Sequence, residues 1–162
     1  MGRGDRCKST LCWLALGGKT LFHLYNATGK DYGGPVLKIV KPDGDHVFDM
    51  LNCKELAAVG RNPTIELSLK NDDVACVAML PALLEAQREG DVVRVSAKVN
   101  IDAQKLSLCG PDGGILLLQD LKDGANQINL SLVPKAGAPE PVAVKLLASN
   151  GLLLDIVGIK KD

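Results

Sequence analysis

Thr64-Ile65-Glu66-Leu67-Ser68-Leu69 is the stretch that decides the fold. Ile65, Leu67 and Leu69 share one parity and Glu66 and Ser68 the other, the period-two signature of a strand with one face in a core and one in water. Gln127 to Leu132 repeats it, with Ile128, Leu130 and Leu132 around Asn129 and Ser131. Outward from the first stretch, Asn71-Asp72-Asp73 turns the chain into Val74 to Met79. Val36 to Val40 and His46 to Met50 flank Lys41-Pro42-Asp43-Gly44-Asp45, a turn with φ preset at proline and positive φ available at glycine. Thr10 to Leu16 and Thr20 to Tyr25 flank Gly17-Gly18, and Val92 to Ile101 precedes Lys105 to Leu108 across Asp102-Ala103-Gln104. Ile115 to Leu118, Gln127 to Val133, Val142 to Leu147 and Leu152 to Ile159 complete the series.

This rhythm predicts an all-β fold of about ten to twelve strands, arranged as a two-sheet antiparallel sandwich or a jelly-roll-like fold. Two segments read as short helices. Ala82 to Glu89 is rich in helix formers between Pro81 and Gly90, and Lys54 to Val59 ends at Gly60. The alternation places Leu67, Leu130 and Val144 in the core, with Glu66 and Lys145 outward.

The 162 residues suffice for one β-sandwich domain over residues 1–162, with the proline-rich Pro134 to Pro141 as a sheet-crossing loop. Hydrophobic residues make up 46% of the chain but Phe, Trp and Tyr only 3%, so the core is aliphatic and aromatic binding surfaces are scarce. The 19 basic and 19 acidic residues give a formal net charge of +0, without the electrostatic footprint of a duplex-binding protein. Any nucleic-acid contact would be local, through Arg3, Arg6 and Lys8. No stretch has the apolar length of a membrane span.

Cys7, Cys12, Cys53, Cys76 and Cys109 are odd in number and scattered, which predicts free thiols in a reducing, intracellular compartment. Arg3, Arg6 and Lys8 before Ser9 to Leu16 have the charge and short apolar run of a signal peptide, but Gly17-Gly18-Lys19 stands where its cleavage site belongs. Asn26-Ala27-Thr28 and Asn129-Leu130-Ser131 match the glycosylation acceptor pattern, and Arg3-Gly4-Asp5 the integrin tripeptide. Both patterns matter only outside the cell.

The chemical motifs are thin. Gly17-Gly18-Lys19-Thr20 has the ending of a phosphate-binding loop, but Trp13 occupies the position of the first glycine, so a turn is the better reading. Asp43, Asp45, Asp49, Asp72 and Asp73 sit in or beside turns, where carboxylates serve local hydrogen bonds. His23 and His46 lie in or beside alternating strands, away from metal-ligand spacing to any cysteine, and read as structural histidines. No catalytic, cofactor or metal residues are expected.

Two layouts bear comparison. The hairpin Thr64 to Met79, the segment Ala82 to Glu89 and Gly90-Asp91-Val92-Val93-Arg94-Val95 together resemble the middle of an oligonucleotide-binding barrel. Such barrels stack bases on aromatic side chains, and this segment has none. Trp13 ahead of Gly18-Lys19, with Gly90-Asp91-Val92 and Leu106-Ser107-Leu108, is similar to the core of nucleoplasmin-like histone chaperones, but the Trp-Gly start and the acidic tract are missing. Neither likeness names a family.

The composition leads to a non-catalytic structural subunit of a larger assembly, such as a capsid, tail, sheath or accessory subunit, in contact with other protein subunits as a homo- or hetero-oligomer. The alternative is a ligand- or nucleic-acid-binding β module using its loops or one sheet face. Ile115-Leu116-Leu117-Leu118 and Leu152-Leu153-Leu154 are continuous apolar runs, which in a strand put apolar side chains on both faces. Leu116, Leu118, Leu152 and Leu154 are therefore the interface candidates.

Overall fold

The structure, a computed structural model, describes residues 9–16, 18–98, 102–134 and 137–161. The N-terminal half contains β1 (Ser9–Leu16), β2 (Lys19–Asn26), β3 (Tyr32–Lys38), β4 (Asp45–Asp49), β5 (Lys54–Leu56), β6 (Thr64–Leu69) and β7 (Val74–Pro81). There follow β8 (Leu84–Glu89), β9 (Val92–Ala97), β10 (Ala103–Cys109), β11 (Ile115–Asp120), β12 (Asn126–Asn129), β13 (Ala143–Ala148), β14 (Leu153–Gly158) and β15 (Lys160–Lys161). The fold is nearly all β and sandwich-like, with several antiparallel sheets and no closed barrel.

One sheet runs β1-β2-β7-β4-β5, a second β12-β9-β8-β15, a third β11-β10-β13-β14, and β3 pairs with β6 in a fourth. Every pairing is antiparallel except β15 on β8. The β3-β6 pair covers one face of the five-stranded sheet, where Leu37, Ile65 and Leu69 meet Leu24, Val47 and Val77. The two four-stranded sheets enclose a larger cluster, with Leu84, Val93, Val95 and Ile128 from one and Leu106, Leu108, Val144 and Leu146 from the other. A third cluster joins these units, as Phe48, Ala78 and Leu80 of the five-stranded sheet pack on Ala143 and Ile156. The sheet containing β13 and β14 is thus packed on both faces, which is why those strands read as nearly unbroken apolar runs.

The strand readings hold for Thr64–Leu69, where Ile65 and Leu69 are buried, Leu67 is half-buried and Glu66 is exposed. Val144 is buried as expected, while Lys145 is only half-exposed because its Nζ donates to the Gly113 carbonyl at 2.8 Å. The two helices are overturned, since the described residues contain no α-helix. Ala82 to Glu89 is mostly β8, with Leu84 and Ala86 buried and Glu85 and Gln87 exposed, paired along its length to β9. Helix propensity is a weak prior beside a cross-strand partner and a buried face of period two. Lys54 to Val59 gives only the short β5. The strand count exceeds the expected range because β5, β8 and β15 come from segments read as helical or left unread.

Gln127 to Val133 is also corrected. The strand ends at Asn129, whose side-chain oxygen accepts the Ser131 N–H at 2.9 Å and starts a 3-10 turn over Leu130–Leu132. Leu130 is consequently half-buried and Leu132 exposed. The local side-chain bond competes with the ladder and wins where the alternation alone predicted more strand.

Candidate functional site: apolar strand edges and a histidine clasp

An edge strand offers unpaired backbone groups, and proteins usually blunt such edges with charge, proline or bulges. Here β3 carries Pro35 and a register shift, β5 carries Lys54 and Glu55, and β6 presents Glu66. β12 is short, with Asn126, Gln127 and Asn129 among its four residues. Two edges are the most apolar. β11 has no charge from Ile115 to Gln119, although it has a register shift against β10 and ends at Asp120, and β1 has none at all.

Among the described residues β11 pairs only with β10, and β1 only with β2. On β11, Leu116 and Leu117 pack against the core, whereas Ile115 is 60% and Leu118 47% exposed. On β1, Leu14 is 59% exposed and the adjacent Ala15 is exposed too. Neighbouring residues of a strand point to opposite faces, so this end of β1 is uncovered on both.

The other interface candidates separate. Leu152, just before β14, is exposed; Leu153 packs half-buried among Phe48, Ala78 and Ile156; Leu154 is buried in the cluster between the four-stranded sheets. That run is therefore covered largely by this chain's own sheets.

The most developed polar cluster lies where the five-stranded sheet meets β14. His46 on β4 places Nδ1 at 2.8 Å from Glu55 Oε1 on β5 and Nε2 at 2.7 Å from Asp155 Oδ1 on β14. Asp155 is fully buried, and its Oδ2 accepts the N–H groups of Leu83 at 2.7 Å and Leu84 at 2.8 Å. Its Oδ1 also accepts the N–H of Ile156 at 2.7 Å. Burial works against a charged His46, but hydrogen bonds to Asp155 and Glu55, and their charge, outweigh it and raise its pKa to about 9. Both ring nitrogens donate to carboxylates, leaving no free nitrogen to act as a base. The cluster works as a clasp across three strands. Lys19 adds a tie, its Nζ donating to the Leu153 carbonyl at 2.5 Å.

His46 reads as structural along the sequence, which does not display its partners. The available signal was Asp155 itself, a lone carboxylate inside Leu152-Leu153-Leu154-Asp155-Ile156-Val157, since a charge in an apolar strand needs a partner.

The remaining motifs resolve locally. Gly18 turns the β1-β2 hairpin at φ 78. Asp49 accepts the N–H groups of Leu51 and Asn52 at 3.1 Å, and Asp72 accepts the Tyr25 hydroxyl at 2.7 Å. Asn26 is fully buried, with its amide donating to the Lys30, Leu69 and Lys70 carbonyls, so this acceptor pattern is closed in the folded chain. Asn129 is exposed. Cys53, Cys76 and Cys109 are free thiols, and Cys76 Sγ lies 4.0 Å from His23 Nε2 on the neighbouring strand. Cys7, the side chain of Cys12, Arg3-Gly4-Asp5, Arg6 and Lys8 lie outside the described residues. Among the described residues no helix is long and apolar enough to cross a membrane.

No protein-family model, curated protein or solved structure matches this chain.

Proposed function

We propose that this chain is a non-catalytic structural subunit that joins other protein subunits through its apolar strand edges, as a building block of a capsid, tail, sheath or comparable complex. The observation that carries the reading is β11, where exposed Ile115 and Leu118 lie on an edge without charge from Ile115 to Gln119. A row of unpaired backbone groups flanked by apolar side chains is a template for another strand. A formal net charge of +0 removes the long-range repulsion that keeps copies apart. The clasp supports the same reading, because it ties the sheet bearing β1 to the sheet bearing β11 and so fixes how the two edges are presented.

Light scattering on purified protein from micromolar to millimolar concentration, with negative-stain imaging, tests the reading. Oligomers, rings or filaments are expected. A strict monomer over that range would overturn it.

A further inference from the structure

We propose that His23 and Cys76, with Met50 beside them, form a binding site for a soft monovalent metal ion, copper(I) or its silver(I) analogue, on one face of the five-stranded sheet. The site is independent of the assembly reading.

Cysteine, histidine and methionine are scarce, at 5, 2 and 3 in 162 residues, yet neighbouring strands set three of them side by side. His23 on β2 stands directly opposite Cys76 on β7, and Cys76 Sγ lies 4.0 Å from His23 Nε2. On the other side of Cys76, Met50 follows β4 and its N–H donates to the Cys76 carbonyl at 2.8 Å. Residues directly opposite each other share a face and carry their Cβ atoms about 4.5–5.5 Å apart. Two positions along these same stretches stand Leu21, Ala78 and Phe48, which pack on Ala143 and Ile156. The three donors continue that face past its cover: His23 is exposed, and Cys76 and Met50 are half-buried, so an ion reaches them from solvent. Cys12 holds the next register position, opposite His23 on β1.

The donor set selects the ion. An imidazole, a thiol and a thioether are soft ligands, and a thioether is foreign to structural zinc sites. Among the described residues no three histidine, cysteine or carboxylate side chains gather in one place, so no zinc or calcium set competes. An ion about 2.0–2.3 Å from nitrogen and sulfur spans 4.0 Å at an angle wider than tetrahedral, which suits a two- or three-coordinate ion. The three rotatable bonds of methionine let its sulfur swing onto that ion as a third ligand. On binding, the Cys76 thiol loses its proton to solvent and a sulfur–metal bond replaces the S–H bond, with no electron transferred.

The experiment titrates copper(I) into the full reduced chain without oxygen, against a coloured copper(I) chelator. Alkylation of each thiol is mapped by mass spectrometry with and without one equivalent of silver(I). One tight ion per chain is expected, with Cys76 shielded from alkylation while it is bound. Cys76→Ser and His23→Gln are each expected to weaken binding about 10–100-fold, at least the loss that follows removal of a ligand's supporting group, and Met50→Leu by less. Circular dichroism checks folding, and His23→Gln alters only an exposed side chain, so it tests the site even where Cys76→Ser disturbs the sheet. One equivalent of copper(I) should raise the urea midpoint of the unaltered chain and leave that of Cys76→Ser in place. Unchanged affinity in His23→Gln or in folded Cys76→Ser would overturn the site, as would shielding that falls on Cys53 or Cys109 instead of Cys76. Tighter binding of zinc than of copper(I) would overturn the choice of ion. The oligomeric state enters none of these results, so this site and the assembly reading fail separately.

Discussion

β11 and β14 are the two edges of one sheet, and each carries a continuous apolar run, yet they end in opposite circumstances. β14 is enclosed. Leu154 and Val157 face the cluster between the four-stranded sheets, Ile156 and Leu153 pack against Phe48, Ala78 and Leu80, and Asp155 takes up the N–H groups of Leu83 and Leu84. β11 has only its inner contacts, through Leu116 and Leu117, and leaves Ile115 and Leu118 in water. A continuous apolar run states that both faces of a strand need cover; it does not state who supplies it. For β14 the supplier is the chain's own N-terminal half.

The contrast can be broken by substitution. Asp155→Ala is expected to cost about 3–5 kcal/mol, because it leaves the His46 cation and three backbone donors without their buried acceptor. Urea unfolding of the variant checks this, and a loss below about 1 kcal/mol would deny the clasp its part in holding the halves together. Ile156→Ala should cost about 2–5 kcal/mol by emptying a fully buried site between sheets. The matching change on the other edge, Leu118→Ala, should stay within about 0.5 kcal/mol in the monomer, as surface changes do. Similar losses for Ile156→Ala and Leu118→Ala would erase the difference between the two strands.

A smaller effect sharpens the account of the clasp. His46 has a pKa raised from 6.5 to about 9, so the folded state holds this proton more tightly than the unfolded chain. The resulting stability is fully present below about pH 6.5, declines as pH rises, and is gone once pH passes about 9. Urea midpoints at pH 6, 8 and 10 should fall in that order, and His46→Gln should flatten the decline. An unaltered slope in His46→Gln would assign the effect to another group. Smallest of all, Asn129→Asp keeps the side-chain oxygen that accepts the Ser131 N–H and should leave the urea midpoint nearly unchanged.

Much of the fold was legible along the chain. The alternation of Ile65, Glu66, Leu67, Ser68 and Leu69 reports a half-buried strand because side chains of an extended chain take opposite faces whatever lies beyond them. The turns at Pro42 to Gly44 and at Gly18 were equally readable, since proline and glycine act through their own backbone. Leu84 to Glu89 was not, because the helix propensity of its residues is overridden by a β9 partner that one segment cannot display. Leu130 was misplaced for a nearer cause, the Asn129 side chain taking a backbone donor from the ladder.

The candidate site divides along the same line. Sequence alone determined that the chain is all β, aliphatic and without net charge, and that Ile115 to Leu118 and Leu152 to Leu154 demand cover on two faces, because these are properties of composition and of period two. Only the tertiary structure decided that Leu154 lies in the core while Leu118 does not, and that His46, Glu55 and Asp155 meet. The reason is separation along the chain: His46 and Asp155 stand 109 positions apart, and no local periodicity carries information across a distance that only sheet packing closes.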